Sequence, residues 1–306
     1  MQSNKWEGLY CRAVSFDGGG IRGAFQAKLL SHIEKQHSII GHVELYAGTS
    51  TGAIIAASLA NGFSSEEIYN LYEKLGEVIF QNRPRGISQY LSRKPAYNAD
   101  ILKECLSEQF DVKGNQKLFG ECKVRTIIPT VSLVDYSLKV FDSRNYAHMD
   151  YPLVDILMAS TAAPTFFKPH RMSFDNSVYI DGGLACSNPA FEVVKLAVKE
   201  QIPLDRIKIL SIGTGSQATT KLTSNFNSMI KLIWAKNLID ILMRTSTSTA
   251  QDNCERLLKD RNLLRIDPEY GIDVSLDDYT TMIELAPNLA SSKYDEFHDK
   301  MKEWKA

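Results

Sequence analysis

Twice within its first 60 residues, the chain passes from a short strand-like run through a glycine-rich turn into a helical pattern. The first unit joins residues 12–16 to the glycines of residues 18–23, and the second joins residues 43–47 to the glycines of residues 48–52. The residues after each turn carry apolar or small side chains at helical spacing. A strand that feeds directly into a helix is the building unit of a parallel sheet with helices packed on its faces.

The rest of the chain continues this alternation of strands and helices. Further strand-like runs lie at residues 124–133, 138–142, 178–180 and 207–212, and helical patterns lie at residues 153–162, 191–199 and 226–258. No internal repeat or linker interrupts the pattern. The sequence therefore predicts one α/β domain, a three-layer α/β/α sandwich with a largely parallel central sheet.

Length, charge and cysteine content exclude several classes of protein. A chain of 306 residues buries enough apolar surface to fold without a metal or a disulfide framework. Its five cysteines are widely spaced and form no C-x-x-C pair, so we expect buried thiols and no metal site. A net charge of -1 argues against binding to a nucleic-acid polymer. The chain contains no transmembrane-length apolar run and no signal-peptide h-region, which predicts a cytoplasmic location.

The first chemical motif is the G-x-S-x-G sequence at residues 48–52, between a predicted strand and a predicted helix. That context is typical of a nucleophile elbow, a sharp turn that lifts the serine hydroxyl off the sheet. The turn is so crowded that Gly48 and Gly52 must lack a Cβ. Ser50 at a helix N-terminus is then a candidate nucleophile. A glycine-lined turn without chemistry explains the same pentapeptide.

The second motif, residues 18–23, has the sequence G-G-G-I-R-G and also lies between a strand and a helix. Backbone N–H groups of such a glycine run can hold the oxyanion of an acyl-transfer intermediate. The same residues satisfy the G-x-G-x-x-G fingerprint of dinucleotide-binding oxidoreductases, with Glu44 as the ribose-binding acid. Both interpretations place an anion at a helix N-terminus, so this motif alone leaves them open.

The third motif is Asp181-Gly182-Gly183, where a predicted strand ends in an aspartate followed by a glycine turn. An ordinary Asp-Gly turn is its simplest explanation in isolation. A dinucleotide-binding protein has no use for Ser50 in an elbow or for Asp181. A serine hydrolase uses all three motifs as oxyanion hole, nucleophile and base, and the combination favours that interpretation.

The order of the three motifs resembles the patatin-like phospholipase family. The segments at residues 15–17, 158–167 and 210–215 also look like that family, and the match extends over about residues 11–265. It implies a patatin-like lipid acyl hydrolase domain at 11–265, with 266–306 as a tail packed on or extending the same domain. It also implies a Ser-Asp dyad of Ser50 and Asp181 in place of a Ser-His-Asp triad. None of the six histidines lies in a convincing late loop.

The resemblance assigns the glycine loop and the substrate as well. It implies that the N–H groups of Gly19 and Gly20 hold the oxyanion, with Gly23 and the N–H of Thr51 nearby. Arg22 is expected to anchor the loop, with a direct phosphate contact as the alternative. The oxyanion loop as a whole comprises Gly18, Gly19, Gly20, Arg22 and Gly23. The implied substrate is a phospholipid at a membrane surface, on the inner face of the membrane, and no cofactor is implied.

Two surface segments allow hypotheses about the membrane and about control. The helix at residues 226–258 is either a buried helix or a lid that touches the membrane. Some bacterial relatives are antiphage effectors that cyclic dinucleotides switch on, and the resemblance extends that hypothesis to this chain. The candidate receptor is a basic and aromatic loop that contains Arg83, Arg85, Tyr90, Arg93, Lys94 and Tyr97.

Overall fold

The computed structural model of the protein describes residues 11–36, 42–81, 95–112, 114–217, 231–272 and 274–305. Its main sheet has eight strands. They are β1 (Cys11–Phe16), β2 (Leu45–Gly48), β3 (Arg125–Ser132), β4 (Leu138–Asp142), β5 (His170–Arg171), β6 (Val178–Asp181), β7 (Ile207–Ile212) and β9 (Leu263–Ile266). Two short strands, β8 (Ser216–Gln217) and β10 (Glu269–Tyr270), pair beside it.

The strands of the main sheet run in the order β5-β6-β3-β2-β1-β7-β9, with β4 paired to β3. Five adjacent strands, β3, β2, β1, β7 and β9, run parallel to one another. The pairs β3–β4, β3–β6 and β5–β6 are antiparallel. The prediction of a largely parallel sheet is confirmed. Because β1 and β2 are adjacent and parallel, the two glycine-rich turns that follow them lie side by side at one edge of the sheet.

Helices cover both faces of the sheet. They are α1 (Gly23–Gln36), α2 (Thr51–Asn61), α3 (Ser65–Leu75), α4 (Ala99–Phe110), α5 (Leu153–Ser160), α6 (Gly183–Cys186), α7 (Ala190–Lys199), α8 (Lys231–Leu257) and α9 (Tyr279–Lys305), with a π-helical turn, Gly76–Phe80, continuing α3. Alternate residues of each strand enter different cores. Val14 and Phe16 pack with α1, α2, α3, α5 and α9, whereas Cys11 and Ala13 pack with α7 and α8. This arrangement is the predicted three-layer sandwich.

The longest described element that the sequence did not predict is α9, which follows residue 278. Its sequence gives a weak helical signal because Pro287 lies inside it. The helix packs along α1, and its Met282, Ala286 and Tyr294 belong to the larger core. The division of the chain between residues 265 and 266 stays a prediction.

The other expectations from composition concern cysteines and membranes. All five cysteines are buried free thiols, as predicted. In the described part of the chain, neither 27-residue helix nor any shorter one combines the length and apolar character that a bilayer-spanning helix needs.

Candidate active site

Ser50 lies at the tip of a tight turn between β2 and α2. Its backbone has φ 54° and ψ -121°, which is unusual for a residue with a side chain. A Cβ on Gly48 would lie 2.1 Å from the carbonyl oxygen of Gly52, and a Cβ on Gly52 would lie 2.2 Å from that of Phe16. Only glycine fits at these two positions, so the G-x-S-x-G spacing allows the strained conformation that presents the Ser50 hydroxyl.

The side chain of Ser50 meets Asp181, which ends β6. The Ser50 Oγ donates a hydrogen bond to Asp181 Oδ2 at 2.6 Å, and the other carboxylate oxygen accepts from the Gly183 N–H at 2.7 Å. The backbone N–H of Asp181 donates to the carbonyl of Ala162, which fixes the end of the strand. Residues 131 positions apart in sequence therefore form a hydroxyl–carboxylate pair with the geometry of a nucleophile and its base.

Burial changes the acidity of this carboxyl group. Asp181 is 2% exposed, and burial raises its pKa to about 6, against the opposing effect of the hydrogen bonds from Ser50 and Gly183. Those two donors are neutral, and among the described residues no cation compensates the carboxylate charge. A carboxylate with a raised pKa is a better proton acceptor for a serine hydroxyl.

Ser160, at the end of α5, holds the nucleophile turn in place. Its Oγ accepts a hydrogen bond of 2.9 Å from the backbone N–H of Ser50 and donates one of 2.8 Å to the carbonyl of Pro129. The segment containing Ser160 resembles the family in sequence, but its role was not predicted. Only the fold brings a residue 110 positions away under the elbow.

Most backbone N–H groups of the glycine loop already have acceptors. The N–H of Gly18 donates to Ser187 O, that of Arg22 to Gly19 O, and that of Gly23 to the carbonyls of Gly20 and Ile21. Within the described residues, no acceptor contacts the N–H groups of Gly19 and Gly20. These two remain available for an anion, and the other members of the predicted set support the loop.

The loop is packed tightly from behind. A Cβ on Gly19 would lie 2.2 Å from Thr214 Oγ1, and Gly20 has φ +58° with Leu276 O only 2.2 Å from where its Cβ would be. Thr214 Oγ1 donates to Gly18 O, and Ile21 N–H donates to Leu276 O at 2.8 Å. The tail beyond residue 265 thus helps to shape the glycine loop, a contact that sequence reasoning missed.

Two arginines anchor the loop. Arg22 is 6% exposed, and its guanidinium donates to the carbonyls of Gly19 and Gly215. Arg265, on β9, forms a two-pronged ion pair with Asp17, with N···O distances of 2.8 and 2.6 Å, and also contacts Asp267. Because Asp17 directly precedes Gly18, this ion pair fixes the start of the loop.

The dinucleotide interpretation of the loop is wrong. Glu44 precedes β2, at the opposite end of the strands from the glycine loop, and its carboxylate accepts a hydrogen bond from the N–H of Arg12. A ribose-binding acid would have to follow the second strand, on the same edge as the glycines.

A cavity lined by apolar side chains opens on Ser50 and Asp181. Its walls include Ile21, Ile54, Leu75, Ile79, Phe80, Leu102, Phe166, Phe167, Met243 and Leu276. Met243 comes from α8, on which Ile239 is also buried while Leu238 and Leu242 are exposed. The described part of α8 therefore has one face packed into the protein and one face outside. An acyl chain is the kind of ligand that such walls bind.

The histidines of the described residues contact other parts of the protein than Ser50 and Asp181. His170 contacts Asp155 through Nε2, His148 accepts from the backbone N–H of Asp142, and the ring of His32 stacks on Tyr294. No histidine lines the catalytic cavity within the described residues. In this part of the chain, the carboxylate of Asp181 is therefore the proton-accepting group that contacts the Ser50 hydroxyl.

Three kinds of comparison relate the chain to known proteins. A family model described as patatin-like phospholipase matches residues 14–194. The chain is 32% identical over 229 residues to a cGAMP-activated phospholipase of Vibrio cholerae, covering 66% of this chain and 64% of that protein, and so spans slightly less than two thirds of that relative. A cGAMP-activated phospholipase of Escherichia coli is 29% identical over 305 residues, covering 92% of this chain and 82% of that protein. The structure of human GIVD cytosolic phospholipase A2 aligns with a TM-score of 0.47 and 9% identity, covering 97% of this chain and 59% of that chain.

Proposed function

The chain belongs to the patatin-like phospholipase family, a family of carboxylic ester hydrolases, and from that premise we propose that it cleaves fatty acyl esters of phospholipids. The observation that carries the proposal is the 2.6 Å hydrogen bond between Ser50 Oγ and Asp181 Oδ2 at the wall of an apolar cavity. In this proposal Ser50 is the nucleophile and Asp181 is the general base.

The first half of the reaction forms an acyl-enzyme. Ser50 Oγ attacks the ester carbonyl carbon while its proton passes to Asp181 Oδ2. The carbonyl oxygen becomes an oxyanion, which the N–H groups of Gly19 and Gly20 stabilise. When the tetrahedral intermediate collapses, the bond to the lysophospholipid oxygen breaks and Asp181 returns the proton to that oxygen.

The second half consumes one water. Asp181 accepts a proton from the water as its oxygen attacks the acyl carbon, and the same glycines hold the second oxyanion. Collapse breaks the bond to Ser50 Oγ, which regains the proton from Asp181, and the fatty acid leaves. One carboxyl group thus shuttles the proton in both halves.

The cavity supports a lipid as the substrate. Its walls are almost entirely aliphatic and aromatic, so they stabilise an acyl chain in proportion to the apolar area removed from water. We place the reaction at a membrane surface, on its cytoplasmic face, because a two-chain phospholipid is presented there.

Regulation by a cyclic dinucleotide is a further part of the proposal. It is supported by the names of the Vibrio cholerae and Escherichia coli relatives, both cGAMP-activated phospholipases. Residues 83–94 of the candidate receptor loop lie outside the described residues. Tyr97, the last candidate, is buried and donates a hydrogen bond to Asp277, so its hydroxyl faces the protein interior.

Lipid analysis tests the hydrolase proposal. We expect the purified protein to release fatty acids from mixed phospholipids, measured by mass spectrometry, and Ser50→Ala to lower the rate on the order of 10⁶-fold. Ser58→Ala is the matched control. Ser58 is a buried serine in α2, the helix that begins directly after Ser50, and its hydroxyl has no partner in the described structure. Fluorophosphonate labelling should disappear in Ser50→Ala and persist in Ser58→Ala. Labelling that survives Ser50→Ala would contradict the assignment.

Calorimetry and activity test the regulatory part separately. A cyclic dinucleotide should bind and raise a low basal rate. Absence of binding across a panel of cyclic di- and trinucleotides, together with full basal activity, would remove regulation from the proposal and leave the hydrolase intact.

A further inference from the structure

A glycerophospholipid carries a phosphate diester a few bonds from the ester that Ser50 would attack, and the catalytic cavity has no group to receive it. In the described structure, no lysine, arginine or histidine lines that cavity, whose only ionisable carboxyl is Asp181. A phosphate placed there would lose its hydration without gaining a cation. The phosphate therefore needs a neighbouring, polar space.

Two cavities that are more polar than the catalytic one adjoin it. The first, of about 360 Å³, lies between the start of α4 and the segment leading into β5, and we call it the α4–β5 cavity. It shares Leu102, Thr161 and Phe167 with the catalytic cavity, so the two cavities lie side by side. The second, of about 670 Å³, lies behind the glycine loop and shares Met243 with the catalytic cavity.

The cavity behind the glycine loop has the wrong charge for a phosphate. Its lining includes three arginines and five carboxylates: Arg22, Arg244, Arg265, Asp17, Asp240, Glu255, Asp267 and Glu269. Arg265 pairs with two of these carboxylates, and Arg244 pairs with Asp240 at 2.8 Å. The surplus of negative charge disfavours an anion there.

The α4–β5 cavity has the opposite balance. Among the described residues, its lining carries Lys103, Lys168 and Arg171 against a single carboxylate, that of Asp100. The surplus of cationic groups favours a phosphate at this side of the catalytic cavity.

The two lysines have room to bind a ligand. Lys103 Nζ lies 3.8 Å from Asp155 Oδ1, and Lys168 Nζ lies 3.6 Å from Asp100 Oδ1. These separations exceed hydrogen-bond length, so each ammonium can turn to a phosphate oxygen without breaking a short bond. Asp155 has closer partners in Ser173 N–H, at 2.8 Å, and in His170 Nε2, at 3.2 Å.

We propose that the α4–β5 cavity is a phosphate subsite, in which Lys103 and Lys168 bind the phosphate diester of the substrate while its acyl chain fills the catalytic cavity. The inference rests on the proposed phospholipase function and gives that site its head-group specificity. Lys168 follows Phe167 directly, so one segment contributes both an acyl-chain contact and a phosphate contact.

A specificity ratio tests the subsite. The double variant Lys103→Gln/Lys168→Gln is compared with wild type on phosphatidylcholine and on diacylglycerol with the same acyl chains, both in neutral detergent micelles. The phosphatidylcholine-to-diacylglycerol ratio of kcat/KM should fall about threefold for each lysine, and so about tenfold for both. Neutral micelles exclude attraction to an anionic surface as the cause. Lys139→Gln/Lys302→Gln is the matched control, since these lysines are similarly exposed but lie away from the two cavities.

Inorganic phosphate gives a second readout. It should inhibit hydrolysis of phosphatidylcholine by wild type competitively, and the double variant should need several times more phosphate for equal inhibition. An unchanged substrate ratio with unchanged phosphate inhibition, in a wild type that cleaves phosphatidylcholine, would overturn the subsite alone. A wild type that cleaves diacylglycerol and no phospholipid would instead overturn the proposed function.

Discussion

Two buried aspartates at the same edge of the sheet, Asp17 after β1 and Asp181 at the end of β6, face different partners. Asp17 receives two hydrogen bonds from the guanidinium of Arg265, whereas Asp181 receives one from a serine hydroxyl and one from a backbone N–H. Burial raises the pKa of both carboxyl groups. At Asp17 the positive charge of Arg265 opposes that rise, and at Asp181 only neutral donors do.

The different partners indicate different roles, a structural anchor for Asp17 and a proposed proton acceptor for Asp181. A carboxylate that receives two charge-assisted hydrogen bonds from a largely buried guanidinium is held in one geometry, and protonating it would break that ion pair. A carboxylate that faces only neutral donors in a dry site can accept a proton and return it. The two residues therefore divide the work of one site: Asp17 fixes the glycine loop, and we propose that Asp181 moves the proton.

The largest expected effect is the loss of the base. Asp181→Asn keeps the shape of the side chain and removes its basicity, so kcat should fall on the order of 10⁴-fold. The free energy of unfolding should not decrease at pH 7, because the variant removes a buried carboxylate that no cation of the described residues compensates. Ester hydrolysis and urea denaturation measure the two quantities. If Asp181→Asn keeps most of its activity, the proposed dyad is wrong.

The same substitution at Asp17 should mainly lower the free energy of unfolding. Among the described residues, Asp17→Asn leaves the largely buried Arg265 with Asp267 as its remaining carboxylate partner, and the free energy of unfolding should fall by about 3 kcal/mol. Urea denaturation of Asp17→Asn and Asp181→Asn at one pH gives the comparison directly. Equal free energies of unfolding for the two variants would show that a charged partner at Asp17 and neutral partners at Asp181 make no difference to stability.

A smaller effect is expected in the loop that Asp17 anchors. Gly19→Ala places a methyl group against Thr214 Oγ1 and displaces one of the two available N–H donors, so kcat should fall about 10²-fold. KM should change much less, because the acyl chain contacts other walls. Steady-state kinetics on a single ester substrate separates the two constants. A change confined to KM would place the loop in substrate binding instead.

The smallest effect is a pH dependence. Asp181 must be ionised to accept the serine proton, and its pKa is raised from 3.8 to about 6. Activity should therefore rise about tenfold for each pH unit below 6 and level off above it. The pH profile of His148→Ala should be the same, since His148 contacts Asp142 and not the site. A limb near pH 4, or one that moves in His148→Ala, would contradict Asp181 as the titrating base.

Sequence patterns located the parts of the site that local geometry determines. A nucleophile elbow needs glycine two residues before and two residues after Ser50 because backbone atoms lie 2.1 and 2.2 Å from the missing Cβ positions. The Asp181-Gly182-Gly183 motif at the end of a predicted strand likewise located this aspartate from the sequence alone. Alternating strands and helices were enough to predict the three layers and the parallel sheet.

Long-range contacts were not predictable in the same way. Ser160 bonded to Ser50, Thr214 bonded to Gly18 and Arg265 bonded to Asp17 lie 110, 196 and 248 residues away from their partners in the sequence. Which loop N–H groups remain available depends on Ser187 and Leu276, which no motif identifies. The helix α9 was missed because Pro287 interrupts its pattern and packing on α1 stabilises it.

The hydrogen bond from Ile21 to the carbonyl of Leu276 has a consequence for the order of events during synthesis. The candidate nucleophile Ser50, the candidate base Asp181 and the glycines are synthesised well before residue 276, so a nascent chain that stops short of this residue lacks the support behind its glycine loop. We expect no hydrolysis until residue 276 has been made. Chains released after residue 265 in a cell-free translation should therefore show no esterase activity, and chains released after residue 305 should show it. Such timing would spare the translating cell's own membranes until the contact with Leu276 has formed.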